Sequence, residues 1–133
     1  MTKEVRATVV RESACELEGG TGTPHGELLW RTLVSGDRTP TEALTVGVAD
    51  VAPGSAGSTR PHRHAQAEVY YTLSGRGVVR VDGVEHALSP GTTVFIPGLA
   101  THHAWNTGVE TLRILYVFAC DSIDQIAYEY PEG

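Results

Sequence analysis

Short apolar runs recur along the chain, separated by Gly, Pro, Asp and Ser residues that favour turns. Each run has the length of a β-strand, and several are rich in β-branched or aromatic residues. Leu44, Val46 and Val48 alternate with Thr45 and Gly47, which is the period-2 pattern of a half-buried strand. The predicted strands are Val5–Val10, Leu28–Val34, Leu44–Val51, Val69–Leu73, Val78–Val81, Val84–Leu88, Thr93–Ile96, His103–Trp105 and Arg113–Phe118. Many short strands with turn residues between them predict an all-β sandwich or barrel.

Two local patterns add detail to this picture. Asp82-Gly83 separates two apolar runs and favours a type I′ turn, which predicts a tight hairpin. No stretch before residue 120 has a convincing helical period, but Ser122 and Gln125 have the spacing of a capping box. We therefore expect one short C-terminal helix after the last strand.

The composition indicates one small domain over residues 1–133, with a core barrel at about 28–118. The net charge is −6 and the ten Lys and Arg are scattered, so nucleic-acid binding is not expected. Cys15 and Cys120 are far apart and fit neither a disulfide framework nor a zinc ribbon. The charged N-terminus leads into no signal-like stretch, and no apolar run approaches bilayer length. We expect a cytoplasmic protein with no membrane contact.

The segment from Pro61 to Glu68 contains three potential metal ligands. In an extended strand, His62 and His64 share one face and can point at a single ion. Glu68 has the same parity, but four strand residues span ~13 Å, which is too far for one metal. The chain must therefore turn at residues 65–67 and return Glu68 on the next strand. A fourth ligand from a separate strand would make the site rigid, and His102 is the candidate.

The order and spacing of these residues resemble the two motifs of the cupin superfamily. The first motif is H-x-H, three residues, E, six residues, G, and it is matched by His62, His64, Glu68 and Gly75. The second motif is matched by Gly91, Pro97, His102 and Asn106. Two turn positions depart from the pattern: Leu99 stands at a Gly position, and Gly57 is one residue closer to His62 than usual. The resemblance implies a small single-domain cupin of the cupin_2 type, a double-stranded β-helix or jelly-roll barrel.

Three imidazoles and one carboxylate suit one divalent ion per chain, either Fe(II), Mn, Ni, Co or Zn. Four protein ligands leave two positions free on an octahedral ion, and an open site is typical of catalysis. Tyr70 lies two residues after Glu68 on the same strand face. A phenol beside a divalent cation loses its proton more easily, so Tyr70 is a candidate general base.

Within the superfamily, the sequence resembles the cupin-type dimethylsulfoniopropionate lyases. The matching stretches are Leu44–Gly54, Ala67–Tyr70, Glu110–Leu112 and Asp121–Tyr128. This resemblance implies that a Tyr after the metal-binding Glu removes the proton α to the substrate carboxylate and that a C-terminal Tyr assists. Tyr70 and Tyr128 occupy those positions. A sulfonium also favours an aromatic cage, for which the candidates are Trp30, Trp105 and Tyr116.

Three function classes are consistent with the residues. The first is a metal-dependent lyase that acts on a small carboxylate by β-elimination, with an isomerase or epimerase as a variant. The second is a non-haem Fe(II) dioxygenase, which needs the same ligands but no base. The third is a non-catalytic cupin that binds a small molecule. Because isolated barrels expose sheet edges, we also expect a homodimer, with Val5–Val10 as a candidate exchanged strand.

Overall fold

The computed structural model describes residues 4–20, 26–54 and 59–131, and the regular secondary structure within them is almost entirely β-strand. Two single 3-10 turns, Glu12–Ala14 and Ile123–Gln125, lie near the two ends. The strands are β1 (Glu18–Gly19), β2 (Leu29–Val34), β3 (Thr45–Val51), β4 (Glu68–Ser74), β5 (Gly77–Val81), β6 (Val84–Leu88), β7 (Thr93–Ile96), β8 (His102–Asn106) and β9 (Leu112–Phe118). Among the described residues, no helix is long and apolar enough to cross a membrane.

The strands form two sheets that enclose one core. Six strands pair in the order β1-β2-β3-β9-β4-β7, and three pair in the order β6-β5-β8. Strand β9 lies between β3 and β4, and its alternate residues Leu112, Ile114, Tyr116 and Phe118 are buried. Val79 and Leu88 of the smaller sheet belong to the same cluster of buried side chains. This all-β architecture confirms the predicted jelly-roll barrel.

The predicted strands from Leu28 to Phe118 are confirmed, and each end differs by at most one residue. The hairpin between β5 and β6 turns at Asp82 and Gly83, whose φ angles are 47° and 84°. Positive φ at both central residues is the signature of the predicted type I′ turn. The C-terminal helix is a single 3-10 turn, and the Ser122 N–H donates to Gln125 Oε1 at 3.3 Å, as one half of a capping box requires.

One predicted strand is wrong for this chain. Val5–Val10 is exposed and pairs with no strand among the described residues, although the Arg6 N–H donates to the Pro40 carbonyl. A segment with the residue pattern of a strand forms a strand only where a sheet edge is available to pair with it. Here the outer edge of β2 pairs with Glu18–Gly19, which the sequence pattern did not indicate. Pairing of Val5–Val10 with a second copy stays a prediction.

Candidate metal centre

The three predicted histidine ligands converge, and the fourth predicted ligand, Glu68, lies against two of them. The ligand atoms of His62, His64 and His102 lie within 4.8 Å of one another. Glu68 Oε1 is 3.2 Å from Nε2 of His64 and 3.2 Å from Nε2 of His102. His64, Glu68 and His102 are buried, and His62 is half-buried at the pocket. The structure therefore forms one cluster from ligands on separate elements.

Backbone pairing explains how this cluster is assembled. His62 and His102 form an antiparallel bridge in which each N–H donates to the other carbonyl, at 3.0 Å and 2.8 Å. The chain then bends at Ala65 and Gln66, and β4 begins at Glu68. The reversal that the ligand spacing required is thus present, as is the third histidine, His102, on a separate strand.

A turn before β8 holds His64 in place. The Leu99 N–H donates to the His64 carbonyl at 2.7 Å. A Cβ at Gly98 would lie 2.3 Å from the Ala65 carbonyl oxygen, so only glycine permits this close approach. Leu99 itself has a φ of 67°, a left-handed conformation that explains why the cupin pattern has glycine there. Gly57, the other departure from the pattern, lies outside the described residues.

The tautomers of the three imidazoles follow from their backbone contacts. Each Nδ1 lies within hydrogen-bonding distance of a carbonyl oxygen, which can only accept, so Nδ1 carries a proton. The acceptors are the carbonyls of Arg60 for His62 at 2.6 Å, Gln66 for His64 at 2.9 Å and Ala100 for His102 at 2.8 Å. In the neutral rings, Nε2 then carries the lone pair. This is the arrangement by which proteins orient metal-binding histidines.

The charges at the centre favour a bound cation. Nε2 of His64 and Nε2 of His102 each lie 3.2 Å from the Glu68 carboxylate, and in the neutral rings this close contact of lone pairs is relieved when a proton or a metal ion lies between the atoms. His64 Nε2 is buried and has no hydrogen-bond partner of proper geometry among the described residues. Buried polar atoms are ordinarily satisfied, so this atom is suited to a metal bond. The residues present therefore fit a divalent metal ion.

Burial and mutual contacts shift the pKa values of these groups. Burial alone would raise the pKa of Glu68, but the contacts with His102 and His64 outweigh it, and the pKa is lowered. Burial, together with the neighbouring His102, lowers the pKa of His62 to about 4. Burial would also lower the pKa of His102, but its contact with the Glu68 carboxylate raises it. The carboxylate is thus kept ionised, and His62 is kept neutral, as metal ligation requires.

An aromatic pocket adjoins this cluster. Tyr70 is buried on the inner face of β4, and its ring centroid is 6.1 Å from that of His102. Tyr128 approaches from the C-terminal segment, with ring centroids 5.7 Å from His62 and 5.5 Å from His64. The other aromatic side chains that line the pocket are Trp30, Tyr116 and Phe118. Both predicted tyrosines are therefore beside the predicted metal ligands.

The pocket raises the pKa of its phenols. Burial, and to a smaller extent the Glu68 carboxylate, raises the pKa of Tyr70 well above its usual value. The same two causes raise the pKa of Tyr128. Neither phenol ionises near neutral pH in this environment without added positive charge. A base role for Tyr70 therefore depends on a cation at the adjacent cluster.

Sequence reasoning misplaced one aromatic residue and missed another. Trp30 and Tyr116 line the pocket, but Trp105 is not among its lining residues, and its ring stacks near that of His103 at 5.0 Å. The alternation along β8 explains this, because His102 faces inward and the odd-numbered residues face outward. Phe118 was not foreseen as a pocket residue, although the same alternation along β9, counted from Leu112, places it inside.

Comparison with known proteins identifies the family. The cupin domain model matches residues 47–118, which span β3 to β9. The chain belongs to the cupin family. The curated protein dimethylsulfoniopropionate lyase DddW of Ruegeria pomeroyi is 40% identical over 114 residues, covering 86% of this chain and 73% of that protein.

Solved cupin-like structures agree with this fold. The polyketide cyclase RemF of Streptomyces resistomycificus superposes with a TM-score of 0.78 at 22% identity, over 96% of this chain and 87% of that one. A predicted oxalate decarboxylase of Thermotoga maritima gives a TM-score of 0.74 at 28% identity, over 85% of this chain and 99% of that one. The activities in these names differ, so the shared barrel does not select a reaction.

Proposed function

We propose that this cupin is a metal-dependent lyase that cleaves dimethylsulfoniopropionate or a closely similar sulfonium carboxylate by β-elimination. The observation that carries the proposal is the buried Tyr70 beside the His62, His64, Glu68 and His102 cluster, in one aromatic pocket. The 40% identity to a dimethylsulfoniopropionate lyase supports the choice of substrate. The geometry alone supports a base next to a cation site.

The three imidazoles and the Glu68 carboxylate would together hold one divalent ion. When bound, that ion supplies positive charge that polarises a substrate carboxylate and favours the ionised form of a nearby phenol. The Ala100 carbonyl keeps the His102 ring oriented through its 2.8 Å contact with Nδ1. These residues prepare the site before the substrate enters, because their backbone bridge and Nδ1 contacts fix their positions.

Tyr70 is the proposed base. Its phenolate oxygen would remove the proton from the carbon α to the substrate carboxylate, and the C–H electron pair would form the carbon–carbon double bond. The bond from the β-carbon to sulfur breaks at the same time, and dimethyl sulfide leaves with the electron pair of that carbon–sulfur bond. Acrylate remains, and the proton stays on Tyr70 until it passes to solvent.

The aromatic side chains suit the cationic end of this substrate. Trp30, Tyr116, Phe118 and Tyr128 line the same pocket, and aromatic faces attract a desolvated sulfonium through the ring quadrupole. Tyr128 approaches His62 and His64 along the C-terminal segment, so we assign it an assisting role at the ligand cluster. The pocket thereby offers a polar end for the carboxylate and an aromatic lining for the sulfonium.

The experiment compares two neighbouring tyrosines on β4. Tyr70 is buried toward the pocket, whereas Tyr71 is 41% exposed on the opposite face. In metal-loaded protein, we expect Tyr70→Phe to lower kcat for dimethyl sulfide release by about 100- to 10,000-fold, the usual contribution of a general base. We expect Tyr71→Phe to retain wild-type turnover. Metal content, measured by elemental analysis, should be the same in all three proteins.

The assay is run with and without dioxygen, and the products are identified by gas chromatography and nuclear magnetic resonance. Equal rates of dimethyl sulfide and acrylate formation under both conditions support elimination. Turnover that requires dioxygen would instead identify an oxygenase. Full activity of Tyr70→Phe with bound metal would refute the base assignment, and the absence of any turnover by wild-type protein would refute the lyase proposal.

A further inference from the structure

The C-terminal tail, defined here as residues 126–131, lies against the segment that carries two of the metal-binding histidines. Arg63 and Glu129 form an antiparallel bridge, in which each N–H donates to the carbonyl of the other at 2.9 Å. Their side chains also form an ion pair, with Arg63 Nε 2.8 Å from Glu129 Oε1. Ile126 is buried in the core at the start of the tail. The tail is thus fastened at two points, and Tyr128 lies between them.

The bridge fixes the register between two alternating segments. Arg63 lies between His62 and His64, and Glu129 lies between Tyr128 and Tyr130. In antiparallel pairing centred on Arg63 and Glu129, His64 lies opposite Tyr128 and His62 lies opposite Tyr130. The ring centroids agree, at 5.5 Å for His64 with Tyr128 and 6.4 Å for His62 with Tyr130.

A slip of this register would remove Tyr128 from the pocket. Because side chains alternate between faces, a shift by one residue would turn Tyr128 away from the histidines and bring an exposed neighbour toward them. The ion pair opposes that slip, since Arg63 and Glu129 are opposite each other in only one register. Their side chains are 42% and 57% exposed, so the pair can be altered without opening the core.

We propose that Arg63 and Glu129 are positioning residues for Tyr128: their bridge sets the register of the C-terminal tail on the metal-binding segment. By strand alternation, both side chains lie on the face opposite the histidines and Tyr128, and their effect on turnover passes through the placement of the Tyr128 hydroxyl group. The kinetic part of this inference rests on the proposed lyase function. The register itself is a property of the chain and can be measured without turnover.

The first test perturbs the ion pair and measures kcat and KM in metal-loaded protein. Exposed ion pairs have small effects, so we expect Glu129→Gln to lower kcat about twofold and Arg63→Glu about fivefold. The exchanged pair, Arg63→Glu with Glu129→Arg, should recover most of the loss. The matched control is Glu110→Gln, which also removes one exposed acidic charge but lies far from the tail in sequence and should retain wild-type kinetics.

The second test asks whether the effect passes through Tyr128. In a Tyr128→Phe background, Glu129→Gln should lower kcat no further, because contacting residues that act together are non-additive. Amide hydrogen exchange of the tail is measured alongside and should accelerate by a factor similar to the fall in kcat. A purely structural role would instead lower the thermal midpoint and reduce kcat equally in both backgrounds.

The outcomes separate this inference from the proposed function. Unchanged kcat and unchanged tail exchange in Arg63→Glu would overturn the inference while leaving the lyase function intact. An undiminished effect of Glu129→Gln in the Tyr128→Phe background would also overturn it. If wild-type protein shows no lyase turnover, the proposed function fails, and tail exchange in Arg63→Glu still decides whether the ion pair sets the register.

Discussion

The two ends of β8 carry buried polar residues that belong to one sequence motif but have different roles. At its start, His102 contacts Glu68 and faces the other histidines of the cluster. At its end, the Asn106 side-chain amide donates to the Val51 carbonyl at 2.9 Å and to the Glu110 carbonyl. Asn106 Oδ1 accepts from the Gly108 N–H at 2.7 Å. His102 thus contacts another member of the predicted metal cluster, whereas Asn106 bonds to backbone groups through both ends of its amide.

This difference shows how a ligand-binding residue can be distinguished from a residue that only supports the fold. Both residues are buried, and the spacing of the motif does not distinguish them. What distinguishes them is the kind of partner. His102 Nε2 lies against the Glu68 carboxylate, in a cluster where His64 Nε2 has no hydrogen-bond partner among the described residues, whereas the Asn106 amide bonds to backbone groups. The polar atoms at the His102 end point at a common centre, and those at the Asn106 end fasten a loop.

The largest effect is expected from a substitution in the metal-ligand cluster. His102→Ala should lower metal affinity and lyase turnover by at least about 100-fold, since changes to groups that merely support a metal ligand already cost 10- to 100-fold. The metal-free protein should also lose free energy of unfolding, because His102→Ala leaves the buried Glu68 carboxylate with one imidazole contact instead of two. Titration calorimetry, the dimethyl sulfide assay and urea unfolding measure the three quantities. Unchanged metal affinity would contradict the assignment.

A different pattern is expected at the other end of the strand, where stability falls but metal affinity does not. Asn106→Ala leaves buried backbone groups without their partner and should lower the free energy of unfolding by about 1–3 kcal/mol. Metal affinity per folded chain should stay within about twofold of wild type, because the loop contacts are remote from the cluster along β8. Loss of metal binding in a folded Asn106→Ala protein would show that the two ends are coupled.

The smallest effect concerns the turn that leads into the His102 end. Leu99 is exposed but has a left-handed backbone, and this conformation costs a non-glycine residue roughly 1–2 kcal/mol. Leu99→Gly should raise the free energy of unfolding by about 0.5–1 kcal/mol after the added entropy of the unfolded chain is counted. Leu99→Ala, which keeps the strained conformation, is the matched control and should give no such gain. Equal stability of the two variants would show that the turn is not strained.

Much of the fold could be predicted from the sequence because local rules and packing agree there. The strands between Leu28 and Phe118 follow the apolar pattern, and Asp82-Gly83 determines its hairpin turn. Val5–Val10 has the same composition as these strands, but strand formation depends on an edge that local sequence does not describe. The two-residue strand β1 is too short to leave a pattern.

The candidate site also has parts that the sequence predicts and parts that it does not. The spacing of His62, His64 and Glu68 demanded a chain reversal, and the structure contains that reversal. The link between Arg63 and Glu129 could not be foreseen, because it joins residues that are distant in sequence and carries no motif. Charged residues of this kind are usually solvated, and only the antiparallel bridge shows what they hold together.

The central claim is that three imidazoles and one carboxylate bind a single ion at the mouth of this barrel. Crystals of chelator-stripped protein reloaded with zinc, measured at the zinc absorption edge, test it most directly. The account predicts one anomalous peak per chain, bonded to Nε2 of His62, His64 and His102 and to the Glu68 carboxylate. A peak at another place, or a zinc-loaded crystal with no peak among these four side chains, would contradict it.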